Sequence, residues 1–377
     1  MVKRSERLVS LDVFRGLTIA LMILVNNPGS WGHIYPPLEH SAWHGWTPTD
    51  LVFPFFLFIV GVAMVYSFGK MKEHGMSKPA IYKKVVIRSI LLFAIGLGMA
   101  IFPLFRFEPF RLYDFSSMRI MGVLQRIGLC YLFASVIYLE FQKAKKIAYW
   151  GLGLITFYWI IMMTIPVPGY GAGVLTKAGN LATYIDKIVM TGHLWKPGWD
   201  PEGLLSTIPA IATVLIGILT GQLLRSGYSK KEKAIYMFFF GNVGLVAGMI
   251  ANAWFPINKG LWTSSYVLFT GGFALQVLAM CYWVIDIKGY KKWTKPFVVY
   301  GMNALAVFVL SGLMAKLLYM IQLPEQWGGT LKGFFYEGLL GLGLAPINAS
   351  LAFALSYVLF WLAIMWILYR RKIFIKI

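Results

Sequence analysis

The chain has 377 residues, 58% of them hydrophobic and only 13% charged, with a net charge of +20. Soluble globular chains are about 45–50% apolar and about 25% charged. This composition therefore excludes a water-soluble fold, a disordered chain, a coiled coil and a nucleic-acid-binding domain.

A helix needs about 20 mostly apolar residues to cross about 30 Å of hydrocarbon. Ten runs meet that requirement, near residues 8–26, 51–68, 86–104, 120–139, 147–167, 204–224, 234–254, 262–285, 297–321 and 348–369. They predict an all-α polytopic bundle of ten transmembrane helices. The first run is interrupted by Asp12 and Arg15 and is followed by no small-residue cleavage site, so it reads as a retained span, not a signal peptide. With the N-terminus inside, 24 of the 35 Lys and Arg residues fall on inside segments, from Lys3, Arg4 and Arg7 to Lys376. That asymmetry is the positive-inside pattern. It puts both termini in the cytoplasm of a multi-pass cell-membrane protein and accounts for the positive charge without nucleic acid. No inverted repeat, linker or low-complexity segment interrupts the chain, so residues 1–377 read as one membrane domain.

Within the spans, Gly217-x-x-x-Gly221 and Gly244-x-x-x-Gly248 read as helix-packing patterns, and Asn242 and Gln276 as interhelical hydrogen-bonding amides. Cys130 and Cys281 lie in apolar runs and read as small hydrophobes. The Gly-rich stretch 333–345 is too short to span and reads as interfacial or re-entrant. Ionisable groups in a span cost several kcal/mol, about 2.5–3.5 on insertion scales, so each needs a reason. Asp12 and Arg15, three apart, share a helix face; an ion pair and a ligand-binding role both fit. Arg126 has no acid three or four residues away, so its partner is another helix or an anionic ligand such as a phosphate or carboxylate.

Long outside loops at 27–50 and 168–203 are rich in Gly, Pro and Trp and hold four of the five histidines. His40, His44 and Asp50 are positioned to converge where the second span begins. A neutral imidazole with a pKa of about 6.5 can take a proton from an attacking amine or hydroxyl, and a carboxylate on its other nitrogen fixes the tautomer. Three other readings stay open: a zinc pair, an interfacial loop with Trp31, Trp43 and Trp46 as aromatic belt, and proton transfer in a proton-coupled secondary transporter. The segment Gly45-Trp-Thr-Pro48 disfavours a helical metal pair and no cysteine joins it, so no metal is expected.

Several segments resemble the heparan-α-glucosaminide N-acetyltransferase family of transmembrane acyltransferases. They are Arg7-Leu-Val-Ser-Leu-Asp12-Val-Phe-Arg15-Gly, His40-Ser-Ala-Trp-His-Gly-Trp-Thr-Pro-Thr-Asp50-Leu-Val-Phe-Pro54, Gly122-Val-Leu-Gln-Arg126-Ile-Gly, Asp200-Pro-Glu202-Gly-Leu-Leu-Ser-Thr, Pro256-Ile-Asn258-Lys-Gly-Leu-Trp262 and Tyr300-Gly-Met-Asn303-Ala. They occur in the family's order across nearly the whole chain, and without the animal enzyme's large lumenal region the chain looks like a prokaryotic member. The resemblance implies transfer of acetyl from cytosolic acetyl-CoA to an amino sugar or glycan on the far side of the membrane. It implies His40 as general base or transient acetyl carrier, Asn26 as oxyanion donor and Asp50 as the group that orients His40. Arg126, Trp262, Asn303, Asp12 and Arg15 are the implied acetyl-CoA-binding candidates. His44 stands where the animal enzyme has Asn and inherits no role. Animal relatives form dimers, which points toward a homodimer. The bilayer, acetyl-CoA and the glycan acceptor are the implied partners.

Overall fold

A computed structural model of the chain describes residues 8–107 and 110–375. Lys3, Arg4, Arg7 and Lys376, used in the charge count, lie outside them. Among the described residues the helices are α1 (Val9–Asn26), α2 (Val52–Glu73), α3 (Lys78–Ile101), α4 (Val123–Phe141), α5 (Ala144–Thr164), α6 (Leu181–Val189), α7 (Thr207–Arg225), α8 (Lys230–Ala251), α9 (Ser264–Tyr282), α10 (Lys295–Met302), α11 (Ala304–Met320), α12 (Leu331–Gly341) and α13 (Pro346–Arg370). A small antiparallel hairpin, Phe105–Phe107 with Phe110–Leu112, lies between α3 and α4.

Nine of the ten expected spans are single helices long and apolar enough to cross a membrane. The tenth, expected over 297–321, is broken: α10 and α11 meet at 71°. Asn303 stands at the break with φ −122° and ψ 34°, outside helical geometry. Its Nδ2 donates to Ile373 O at 3.1 Å, and Ile375 N donates to its Oδ1 at 2.9 Å. The segment after α13 thus takes both amide atoms. The stretch expected to be interfacial or re-entrant contains α12, whose 11 residues extend only about 16 Å.

The chain divides into two compact units. The first holds residues 1–41, 47–56 and 277–376, and the second residues 42–46 and 57–276. In the first, α1 packs on α10, α11 and α13. Ile19, Ile23, Val299, Tyr300, Phe353 and Trp361 form much of its core. Two glycines set the α1–α10 approach: a Cβ on Gly16 would sit 1.8 Å from Phe297 O, and one on Gly301 would sit 2.4 Å from Asp12 O.

In the second unit α3 packs on α4, and α7 on α4 and α5. The glycine patterns do the work expected of them. A Cβ on Gly217 would meet Phe58 O of α2 at 2.0 Å, and one on Gly244 would meet Gly272 of α9 at 3.0 Å. Gln276 Nε2 donates to Asn242 Oδ1 at 2.9 Å, joining α8 and α9. Outward apolar side chains such as Ile90, Phe157, Phe239 and Leu359 remain exposed along α3, α5, α8 and α13, the surface a helix presents to lipid. The protein is a multi-pass helical membrane protein.

Candidate active site

The first unit builds its polar centre between α1 and α2. The helical run of α1 stops at Asn26-Asn27-Pro28, because the residue before a proline is pushed out of helical geometry. Asn27 Nδ2 donates back to Ile23 O at 2.7 Å and satisfies one carbonyl of the helix end. Asn26 is exposed in that last turn. Two 3-10 turns follow, Pro36–Leu38 and Pro48–Leu51, tied together by Thr49 Oγ1 donating to Pro37 O at 3.2 Å. Pro48 opens the second turn, whose first position needs no N–H. That turn packs against α1 and carries Asp50.

Asp50 is 1% exposed, and its carboxylate is held by donors. Oδ2 accepts from Ser41 N and Thr47 N, each at 3.0 Å. Oδ1 lies 2.7 Å from Nδ1 of His40. An ionised Asp50 carboxylate only accepts, and the His40 contact is then Nδ1–H donating to Oδ1. The neutral ring then carries its lone pair on Nε2. The His40 side chain is 47% exposed, so this basic nitrogen belongs to an accessible ring. The arrangement is a base oriented by a carboxylate, the geometry used for proton abstraction or nucleophilic attack.

The other candidates of this unit are committed elsewhere. Arg15 Nη1 lies 3.5 Å from Asp12 Oδ1 and donates to Gly301 O at 3.3 Å. That is the ion-pair reading of the two residues, extended to α10. Asn303 is 1% exposed and spends its amide on the C-terminal segment.

His44 has a partner of its own, in the second unit. Residues 42–46 belong to the second unit, where Gly45 N donates to Ile257 O at 2.8 Å and Trp43 Nε1 to Leu175 O at 2.8 Å. Gly45 makes this turn at φ +94°, a region open chiefly to glycine. His44 Nδ1 accepts from Asn258 Nδ2 at 3.3 Å, and burial lowers its pKa. The pair His40 and His44 therefore goes to two different partners. Among the described residues no group of three or more His, Cys, Asp and Glu side chains converges.

Arg126 is in the first turns of α4 and is fully buried. Its Nη2 donates to Gly203 O at 3.0 Å and to Ser206 Oγ. Its Nε and Nη1 have no hydrogen-bond partner among the described residues. The guanidinium lies 5.2 Å from the ring of Trp262. Trp262 is 1% exposed, donates Nε1–H to Thr213 Oγ1 at 3.2 Å and has φ +51°, a costly conformation for a large side chain. Asn258 shapes the turn before it, accepting from Leu261 N at 2.9 Å.

Asp186 on α6 lies in the same region, with Oδ1 accepting from Leu204 N at 2.8 Å. Burial pushes its carboxyl up to about 6, against the opposing pull of that N–H and of Arg126. Arg119 holds Asp200 through two hydrogen bonds of 2.9 and 2.6 Å and also holds Glu202. Asp186 escaped the sequence reading because α6 is an ordinary short amphipathic helix outside the spans. Asn258 and the Asp200–Glu202 pair stood in matched motifs but carried no assigned role.

Comparison with known proteins agrees with the motif resemblance. The family model described as heparan-alpha-glucosaminide N-acetyltransferase, catalytic, matches residues 7–251. The chain is 32% identical to the mouse heparan-alpha-glucosaminide N-acetyltransferase over 99% of its own length and 61% of that protein. It is 30% identical to the human protein of the same name over 98% of its length and 60% of that protein. It thus spans about three fifths of the length of these relatives. With 245 residues matched, Asn26, His40, Asp50 and Arg126 among them, the chain belongs to the heparan-alpha-glucosaminide N-acetyltransferase catalytic family.

Proposed function

We propose that this protein is a membrane-embedded acetyltransferase of the cell membrane, moving acetyl from cytosolic acetyl-CoA to the amine of an amino sugar or glycan on the extracytoplasmic side. The observation that carries the reading is the His40–Asp50 pair: a buried, fully engaged carboxylate leaves an accessible imidazole with a basic Nε2.

In this mechanism His40 Nε2 takes one proton from the neutral acceptor amine as that nitrogen attacks the thioester carbonyl. Asp50 stays ionised, keeps Nδ1 protonated and stabilises the imidazolium that forms. The exposed amide of Asn26, in the helix that packs on the Asp50 turn, donates to the developing oxyanion. Removing one such donor costs about 10²–10³ in rate. Collapse of the tetrahedral species forms the amide and expels the CoA thiolate, which is protonated from His40. The accessible His40 ring also allows a two-step route in which it first carries the acetyl group.

Arg126 offers Nε and Nη1 to an anionic oxygen, with Trp262 beside it; the donors fit a CoA phosphate or an acceptor acid group. Asp12, Arg15 and Asn303 hold α1, α10 and the C-terminal segment together, a supporting role rather than contact with acetyl-CoA.

The test is free CoA release by purified protein in nanodiscs, with glucosamine and a panel of amino-sugar oligomers. Acceptor-dependent release by the wild type, lost in His40→Ala while acetyl-CoA still binds, is the expected result. A folded wild type that binds no acetyl-CoA overturns the reading. Release of CoA without acceptor, in an amount equal to the enzyme, selects the two-step route.

A further inference from the structure

α4 ends at Phe141 and α5 starts at Ala144, so the turn Gln142–Lys143 joins two spans and stands at a face of the bilayer. Lys143, Lys145 and Lys146 lie on this turn and just after it, all exposed. Two neighbouring lysines are committed: Lys72 Nζ donates to Gln142 Oε1 at 3.1 Å, and Lys78 Nζ to Glu140 Oε2 at 2.8 Å. The three of the turn have no acid partner among the described residues. Glu140 is taken by Lys78 and Tyr82, and no further acid occurs in the chain before Asp186. The turn is also held in one shape. Gln142 stands at φ +38°, unusual for a residue with a side chain. Gln222 Nε2 of α7 donates to its carbonyl at 2.6 Å, and Lys72 of α2 holds its amide.

A groove of about 520 Å³ runs along α5 from this turn, lined by Phe141, Lys146, Tyr149, Trp150, Gly153 and Phe157 among others. Phe141 and Trp150 pack ring to ring at 5.5 Å at its charged end. Lys145 Nζ stands 5.7 Å from the centre of the Tyr149 ring, and Lys146 Nζ 5.8 Å from that of Phe141. Tyr149, Trp150 and Phe157 are exposed on the lipid-facing side of α5. Gly153 opens the groove between them. A Cβ there would meet nothing within 4 Å, so no neighbouring helix requires a glycine at this position. Glycine weakens a helix, and here close packing does not compensate. From Lys146 to Phe157 the helix rises about 16 Å, close to half of the roughly 30 Å hydrocarbon layer. The groove therefore has the length of one leaflet, with charge at one end, rings next and an apolar trough beyond.

We propose that Lys143, Lys145, Lys146 and the groove along α5 bind one anionic phospholipid, its phosphate among the lysines and an acyl chain over Gly153. Basic clusters beside a span attract anionic headgroups, and aromatic rings at that depth sit at headgroup level. A merely solvated basic turn needs no trough beneath it, and a merely lipid-washed helix needs no fixed, uncompensated lysines at its end. The two together match the charge and the length of a single lipid. The site lies apart from His40 and Asp50 in the chain and is independent of the transferase reading.

Native mass spectrometry of the full chain in detergent counts bound lipid directly. The probes are phosphatidylglycerol and phosphatidylcholine with the same acyl chains, and glycerol 3-phosphate as the phosphate without chains. The wild type is expected to hold one phosphatidylglycerol about tenfold or more tightly than phosphatidylcholine. Lys143→Gln/Lys145→Gln/Lys146→Gln should lose that preference. Lys83→Gln/Lys84→Gln/Lys231→Gln, which removes equal charge from other exposed positions, should keep it within about twofold. Gly153→Leu fills the groove and leaves the lysines in place, and should weaken both phospholipids by about three- to tenfold. All of these positions are exposed, so an unchanged Tm in lipid-free detergent is expected and certifies the fold. Each of the following overturns the site: no preference in the wild type, a preference retained by the first triple variant, an equal loss in the second, or binding unaffected by Gly153→Leu. So does displacement of the lipid by glycerol 3-phosphate alone. A dimer that Gly153→Leu splits, with lipid binding unchanged, would make the groove an interface between copies instead.

Discussion

Asp50 and Arg126 are both charged groups removed from water, and their surroundings treat them in opposite ways. Asp50 is met by two backbone N–H groups and an imidazole, all on the loop that also carries it. Arg126 is met through Nη2 alone, and two of its nitrogens face no acceptor among the described residues. A buried charge without full hydrogen bonding is costly, by several kcal/mol per ion. In the proposed reaction the first region needs only a substrate at His40. The second has donors to spare, which in that reading a ligand oxygen would satisfy. Preorganised chemistry and unspent binding capacity lie in different parts of the chain.

The largest effect belongs to Asp50→Asn. The amide offers one acceptor where three donors need two oxygens, and its NH₂ opposes either His40 Nδ1–H or the backbone N–H groups. Turnover is expected to fall by about 10²–10⁴ with acetyl-CoA binding retained; a loss below tenfold breaks the assignment of Asp50 as the orienting group. Arg126→Met comes next. It removes the charge at similar volume, so thermal stability should hold or rise, while kcat/KM drops by about 10- to 100-fold through lost charge-assisted hydrogen bonds. Unfolding without a kinetic signature makes Arg126 a structural residue instead.

Asp186→Asn tests the acid beside it through pH. The folded-state pKa of about 6 lies above the ordinary carboxyl value of 3.8, so the fold holds the proton more tightly than the unfolded chain. The stability from this group is complete below about pH 4 and is lost as pH rises through about 6, a change of about 3 kcal/mol at most. The asparagine variant mimics the protonated form. Its Tm should exceed the wild-type value at pH 7–8 and converge on it near pH 4; a constant difference across that range refutes the raised pKa. Smallest is Gly16→Ala, whose Cβ meets the Phe297 carbonyl. It should lower stability by about 1–3 kcal/mol with little change in KM, as expected if the Arg15-Gly16 motif holds α1 to α10. A selective rise in KM for acetyl-CoA would restore the motif as a binding element.

Much of this was visible before any coordinates. Nine of ten spans were legible because bilayer thickness forces long apolar runs, and the small-residue patterns and the Asn242–Gln276 amide pair followed from packing rules for membrane helices. The His40–Asp50 pair was legible because the two residues lie ten apart on one loop between two spans, with Pro48 turning the chain between them. The break at Asn303 was not, because 297–321 is long and apolar enough to read as one span and the distortion depends on the C-terminal segment, more than 65 residues on, taking the Asn303 amide. Asp186 was hidden for a related reason: its carboxylate meets Gly203 and Leu204, which lie 17 and 18 residues further along the chain.

What the sequence alone determined is the class of object, a polytopic helical membrane protein of this family with a histidine-bearing loop after its first span, because hydrophobic length and local motifs are properties of contiguous residues. The tertiary structure alone decided which charges are spent and which are free. It paired His40 with Asp50 but His44 with Asn258, closed Asp12 on Arg15, and left Arg126 with donors in hand. Hydrogen-bond satisfaction depends on distant segments meeting at about 3 Å, and no local pattern in the chain encodes that meeting.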